Sequence, residues 1–135
     1  MDHFEKIYAQ KARMYHTMID AEDADGNLLP ALQAAAPMDG KRVLDLGSGT
    51  GRVTLLLHKM ASKLVALDLN FPMLVEQSVQ RQKIGGDWPL INGDMRWLPF
   101  EEASYDVVIA GWAIGHLRSW FETDWKDQMG LIFSE

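Results

Sequence analysis

The stretch VLDLGSGTG, residues 43–51, constrains the fold more than any other part of the chain. A short, almost wholly aliphatic run ends in a turn with glycines at 47, 49 and 51. A run so short and apolar, stopped by glycines, predicts a strand buried on both faces. Glycines let the backbone turn sharply out of the strand, and without side chains the backbone N–H groups and a following helix N-terminus can face a ligand. Beyond the turn, Val53, Leu56, Leu57, Met60 and Ala61 recur at the spacing of one helix face. Strand, glycine turn and helix together open a βαβ unit.

The pattern repeats downstream. KLVALDLN, residues 63–70, reads as a second strand ending in an acid. Its helix carries Phe71, Leu74, Val75, Ser78 and Val79 as the apolar face, Asn70 or a residue adjacent to it as cap and Pro72 near the first turn. PLIN at 89–92 and YDVVIAG at 105–111 read as a third and a fourth strand. Strands alternating with helices predict an α/β fold, a parallel sheet with right-handed crossovers and ligands beyond the carboxyl ends of the strands. Upstream, residues 3–20 predict an amphipathic helix, with Phe4, Ile7, Tyr8, Lys11, Tyr15, Met18 and Ile19 on one side. After the break DAEDADGN, LLPALQAAA predicts a second helix. Near the other end, Trp125, Met129, Ile132 and Phe133 have helical spacing after Thr123 or Asp124. We expect residues 1–40 to form an N-terminal helical cap segment on an incomplete α/β core at 41–135, the two making one domain, as 135 residues allow.

Composition narrows the function. A net charge of −6 without a Lys/Arg cluster argues against a protein that binds by neutralising nucleic-acid phosphates or an anionic membrane, and favours a small-molecule substrate. With no cysteine there is no disulfide, thiolate nucleophile or Cys-ligated metal. His3, His16, His58 and His116 lack metal-ligand spacing, so no metal is expected. The N-terminus lacks the apolar core of a signal peptide, and VVIAGWAIG at 107–115 is too short to span a bilayer, which leads us to expect a cytoplasmic protein.

The spacing of the glycines selects among nucleotides. The dinucleotide fingerprint is GxGxxG, whereas here the third glycine arrives one place early and Arg52 stands where Gly or Ala belongs. No GK[ST] follows, so the loop is not a P-loop. Asp68 lies about 20 residues after the loop, where a carboxylate accepts hydrogen bonds from ribose hydroxyls; helix capping is the plainer alternative. Asp45 sits inside the first apolar strand, either as a ligand-facing acid or as a partner of Lys41 or Arg42.

These residues carry a resemblance. VLDLGSGTG is similar to the first motif of class I S-adenosylmethionine-dependent methyltransferases, an acid two places before a GxGxG loop. The resemblance implies that Asp45, Gly47, Ser48, Gly49 and Gly51 hold the methionine part of S-adenosylmethionine. It further implies that Asp68 grips the ribose, that Leu69 and Met73 line the adenine, and that Gly93, Asp94 and Met95 meet its edge. For Met73 and Asp94, core packing and a simple loop role stand beside these readings. Ala110, Gly111 and Trp112 would lie near the sulfonium, with His116 as a base or as an ordinary helix-face residue. Tyr15 resembles an aromatic that related enzymes place over the cofactor, or is amphipathic core. The (D/N/S)PP(Y/F) motif of amino-nitrogen methylation is absent.

The matched motifs supply only the first four strands, so the resemblance implies a Rossmann-like parallel sheet with flanking helices, the N-terminal half of the family's fold. The expected function is methyl transfer from S-adenosylmethionine to a small-molecule acceptor. The alternative is an S-adenosylmethionine-binding module or truncated fragment without catalysis. A fourth strand left as an apolar edge also predicts pairing between identical chains.

Overall fold

The computed structural model describes residues 3–111, 113 and 121–134, the side chains of 4–10 excepted. In chain order the elements are α1 (His3–Glu22), α2 (Leu28–Ala35), β1 (Arg42–Leu46), α3 (Thr54–Leu57), β2 (Lys63–Asp68), α4 (Phe71–Lys83), β3 (Leu90–Asn92), β4 (Val107–Ile109) and α5 (Trp125–Ser134). The four strands form one sheet in the order β3-β2-β1-β4, and every pairing is parallel. Asp45 lies level with Ala66 of β2 and Ile109 of β4, and Asp68 lies level with Asn92 of β3.

Alternation along the strands fills both faces of the sheet. Val43, Leu64 and Ala66 point to one side, where Met38, Val53, Leu57 and Trp88 complete a core capped by the leucines of α2. Leu44, Leu46, Val65 and Leu67 point to the other, against Ile132 and Met129 of α5 and Met95, Leu98 and Phe100 of the loop after β3. Each fully buried aliphatic side chain contributes about 1.5–3 kcal/mol relative to an exposed one. This two-sided burial explains why VLDL carries no alternating polar residues apart from Asp45.

Three elements depart from the expectations. α1 runs two residues past 20 and is kinked at Lys11, whose φ of −133° and ψ of 30° are not helical. α3 is one turn long; the apolar spacing continues to Ala61, but beyond Leu57 the chain proceeds through turns, with Met60 N–H and Ala61 N–H both donating to Leu57 O. In α4 the inward face is not Phe71, Val75 and Val79, which are exposed, but Met73, Leu74 and Gln77. The helix is turned so that a glutamine, not a valine, meets the glycine loop. Phe133 of α5 is likewise exposed, while Ile132 is buried.

Candidate functional site

The chain runs outward from β1 to β3, then returns to place β4 on the other side of β1. At such a reversal the loops leaving the strand ends part, and the crevice they leave is the usual ligand site of an open parallel sheet. A cavity of about 380 Å³ opens there, within the size range of small-molecule and cofactor sites.

Asp45, the last but one residue of β1, forms its floor. The side chain is 2% exposed and accepts a hydrogen bond from Thr54 Oγ1 at 2.7 Å. Burial pushes its carboxyl up to about 7, opposed by the Thr54 hydrogen bonds and reinforced by the charge of Asp68. Neither Lys41 nor Arg42 is its partner; Arg42 instead grips Asp106 through Nε and NH2 at 3.2 and 3.0 Å. Gly47 then turns the chain with a φ of +64°, and a Cβ there would lie 2.2 Å from that of Ala113. Only glycine combines that conformation with so close an approach.

The loop is braced from behind. Ser48 N–H donates to Leu67 O at 3.0 Å, and Gly49 N–H donates to Asp68 Oδ2 at 2.8 Å. Asp68 Oδ1 accepts from Asn70 N–H at 2.7 Å, so both carboxylate oxygens are oriented by backbone amides. Asn70, not Asp68, caps α4, its side chain accepting from Met73 N–H. Gln77, fully buried, donates through Nε2 to Ser48 Oγ at 3.0 Å and Gly49 O at 2.8 Å, while its Oε1 accepts from Trp88 Nε1 at 3.0 Å. Every polar atom of that amide thus has a partner, as burial demands.

At the end of β3, Gly93 N–H donates to Asp68 O, and Asp94 takes a bidentate contact from Arg96. The Arg96 hydrogen bonds hold the Asp94 carboxyl below its ordinary range. Arg96 also donates to Gln128 Oε1 of α5 at 2.6 Å and lies over the Phe121 ring, 5.0 Å from its centroid. Across the cavity, α1 supplies Tyr15 and Ile19 to the wall. Its neighbouring His16 places Nδ1 2.7 Å from Oγ1 of Thr50, a fully buried glycine-loop residue. Arg52 NH2 meets Glu22 Oε2 at 2.7 Å, a second tie between α1 and the loop.

Residues 43–126 match the Methyltransferase domain family. The chain belongs to that family. It is 29% identical over 133 residues to malonyl-[acyl-carrier protein] O-methyltransferase of Legionella pneumophila, covering 96% of this chain and 43% of that protein. It is 36% identical over 78 residues to demethylmenaquinone methyltransferase of Clavibacter sepedonicus, covering 56% and 31%. Among solved structures, a 16S rRNA methyltransferase from T. thermophilus, in complex with AdoMet and guanosine, superposes with a TM-score of 0.55 at 27% identity, over 62% of this chain and 23% of that one. The chain spans less than half the length of these curated relatives.

Tyr15, outside the matched residues, and Asp45, Gly47, Ser48, Gly49, Asp68, Leu69, Met73, Gly93, Asp94, Met95 and Gly111, within them, all line the cavity. Gly51 and Ala110 stand off its wall. Gly51 closes the turn, donating to Ser48 O and accepting from Leu55 N–H, and Ala110 packs into the core beneath α5. Trp112 and His116 lie outside the described residues. Sequence reasoning passed over His16, Thr50, Gln77 and Trp88. Each looks ordinary in isolation, and their roles come from partners distant in sequence, 34 residues away for His16 and 29 for Gln77 with Ser48. No group of His, Asp and Glu able to hold a metal occurs among the described residues.

Proposed function

We propose that this chain binds S-adenosylmethionine in the cavity at the strand ends and carries out methyl transfer to a small-molecule acceptor. The observation that carries the reading is Asp68: a cavity-lining carboxylate at the end of β2, pre-oriented by two backbone amides, the kind of group that accepts hydrogen bonds from ribose hydroxyls. The other wall groups fit the same molecule. Asp45 offers a buried carboxyl group whose ionised form a cationic amino group would favour, and Gly47 leaves the backbone bare beside it. Leu69 and Met73 supply apolar surface beside Asp68 for an adenine ring, and Gly93, Asp94 and Met95 border it.

Bound there, S-adenosylmethionine supplies a methyl group on a sulfonium with an excellent leaving group. The protein's task is therefore chiefly to bind, orient and exclude water, which accounts for a large part of such an acceleration. In this reading His116 takes a proton when the acceptor must lose one. The acceptor class follows the malonyl-carrier and menaquinone-precursor methyltransferases among the relatives. The acidic balance of −6 supports partners other than nucleic acid. No helix among the described residues is long and apolar enough to cross a membrane, and the reading places the protein in the cytoplasm. Copies of the chain are proposed to pair through the β4 edge.

The test is thermal unfolding with S-adenosylmethionine, S-adenosylhomocysteine and NAD in turn. Ligand at about 100 times its dissociation constant should stabilise the fold by about 2.7 kcal/mol. Asp68→Ala should weaken S-adenosylhomocysteine binding by about 1.5–3 kcal/mol, the worth of hydrogen bonds to a charged group. Stabilisation by NAD alone would reject the reading. Binding without turnover over a panel of acceptors would reduce it to a cofactor-binding module.

A further inference from the structure

Two residues beyond Asp94, Arg96 lies on the cavity wall and does more than neutralise its neighbour. Asp94 Oδ1 accepts from the backbone N–H and from Nε of Arg96 at 2.9 and 3.0 Å, and Oδ2 accepts from NH2 at 2.6 Å. Both side chains are only 21% exposed, so the pair is held more firmly than a freely solvated one. A planar guanidinium gripping both oxygens fixes the plane of the carboxylate as well as its place. The same guanidinium donates through NH1 to Gln128 Oε1, 32 residues away, at 2.6 Å, and lies over the ring of Phe121. Gln128 in turn donates through Nε2 to Asp124 Oδ2 and through its backbone N–H to Asp124 O, both at 3.1 Å. An unbroken run of hydrogen bonds thus leads from the loop after β3 to the first turn of α5. Phe121, ahead of that helix, is itself part of the cavity wall.

We infer that Arg96 is a positioning residue that couples occupation of the cavity at Asp94 to the docking of α5 on the sheet. The inference rests on the cofactor reading above, in which Asp94 borders the adenine, and adds the element that answers to it. When α5 leaves the sheet, Arg96 loses Gln128 and Phe121, and the carboxylate it aligns loses its orientation. A base whose amino group donates to Asp94 therefore binds the docked arrangement better. Reciprocity then requires the bound cofactor to hold α5 down by the same factor. Met129 and Ile132 seat α5 through apolar contact, which is non-directional. The Arg96–Gln128 bond supplies the directional link to the ligand. With cofactor in place, the Phe121 wall is firm before an acceptor arrives.

The experiment is amide hydrogen exchange on the wild-type chain and on Gln128→Ala, each free and saturated with S-adenosylhomocysteine. Gln128→Ala removes the link and keeps the Asp94–Arg96 pair. In the wild type the ligand should slow exchange across α5 about fivefold or more, the lower end of ordinary coupling between sites. In Gln128→Ala the slowing should fall below about twofold, while the amides of Ser48 and Gly49 remain protected by bound ligand. S-inosylhomocysteine carries an oxo group in place of the adenine amino group. At concentrations that protect the wild-type glycine loop equally, it should leave α5 unslowed, a comparison that stands even if Gln128→Ala fails to fold. An α5 that exchanges at one rate with and without S-adenosylhomocysteine, beside a protected glycine loop, overturns the coupling. So does equal slowing in Gln128→Ala, or equal slowing by the two ligands. If S-adenosylhomocysteine protects no amide anywhere in the wild type, the cofactor reading itself falls.

Discussion

Asp45 shows what one buried carboxylate imposes on the protein around it. Its carboxyl sits near 7 in the fold against an ordinary 3.8, with burial as the main cause. Between these values the folded chain keeps a proton that the unfolded chain has released, so stability falls as pH rises through that window. Asp45→Asn removes the titrating group while retaining an oxygen for Thr54. We expect the wild-type melting temperature to decline from pH 5 to pH 8 more steeply than that of Asp45→Asn; parallel profiles would show that the carboxylate is not buried as described. A cationic ligand group reverses the effect, because an ammonium beside Asp45 favours its ionised form. Binding of S-adenosylhomocysteine near neutral pH should then release a proton, measurable as a dependence of binding heat on buffer ionisation enthalpy. Asp45 was legible in the sequence because an acid in an aliphatic strand is conspicuous. Its partner was not, because Lys41 and Arg42 are nearer in sequence than Thr54, and only the fold turns Arg42 toward Asp106.

At the scale of elements, α1 and α4 hold the glycine loop from two sides, and neither hold could be read from periodicity. Helical spacing reports which residues share a face, but not which face turns inward when a polar residue has a tertiary partner. Gln77 settles that question for α4, giving Phe71, Val75 and Val79 to solvent. The strands were legible for the opposite reason: short aliphatic runs closed by glycine or an acid are local signals that need no distant partner. For α1, His16 is the telling residue. Burial lowers its pKa against the raising effect of Asp20 and Glu76 on the adjoining surfaces, with Lys83 acting in the same direction as burial. A base held below its ordinary 6.5 gives stability that is present above that value and lost as pH falls through the folded one. Amide exchange in α1 should therefore quicken as pH is lowered below 6.5, after correction for the intrinsic rate. In His16→Gln, which cannot titrate, the corrected rates should stay level over the same range; a parallel rise in the variant would detach the effect from His16.

For the molecule as a whole, the sheet places its two shortest strands at the edges and its two longest, fully backed on both faces, in the middle. The cavity therefore hangs from the most buried part of the fold, and of the two edge strands β4 carries an exposed apolar side chain, Val108 at 55%. If copies pair there, sedimentation should show association that rises with concentration and is abolished by Val108→Lys, a charge of the kind natural edges use to prevent pairing. A monomer across the whole concentration range would dispose of the idea. The bond from Trp88 to Gln77 reaches across the same architecture, joining the approach to β3 to the glycine loop through one amide. It also makes the protein its own optical probe. Trp88 is buried, Trp97 exposed and Trp125 half-buried, so the light from Trp88 is the blue-shifted, acrylamide-resistant part of the emission that disappears in Trp88→Phe. Any ligand that shifts the Gly49 carbonyl must move the far end of the amide that holds this indole, and its presence would register as a change of colour.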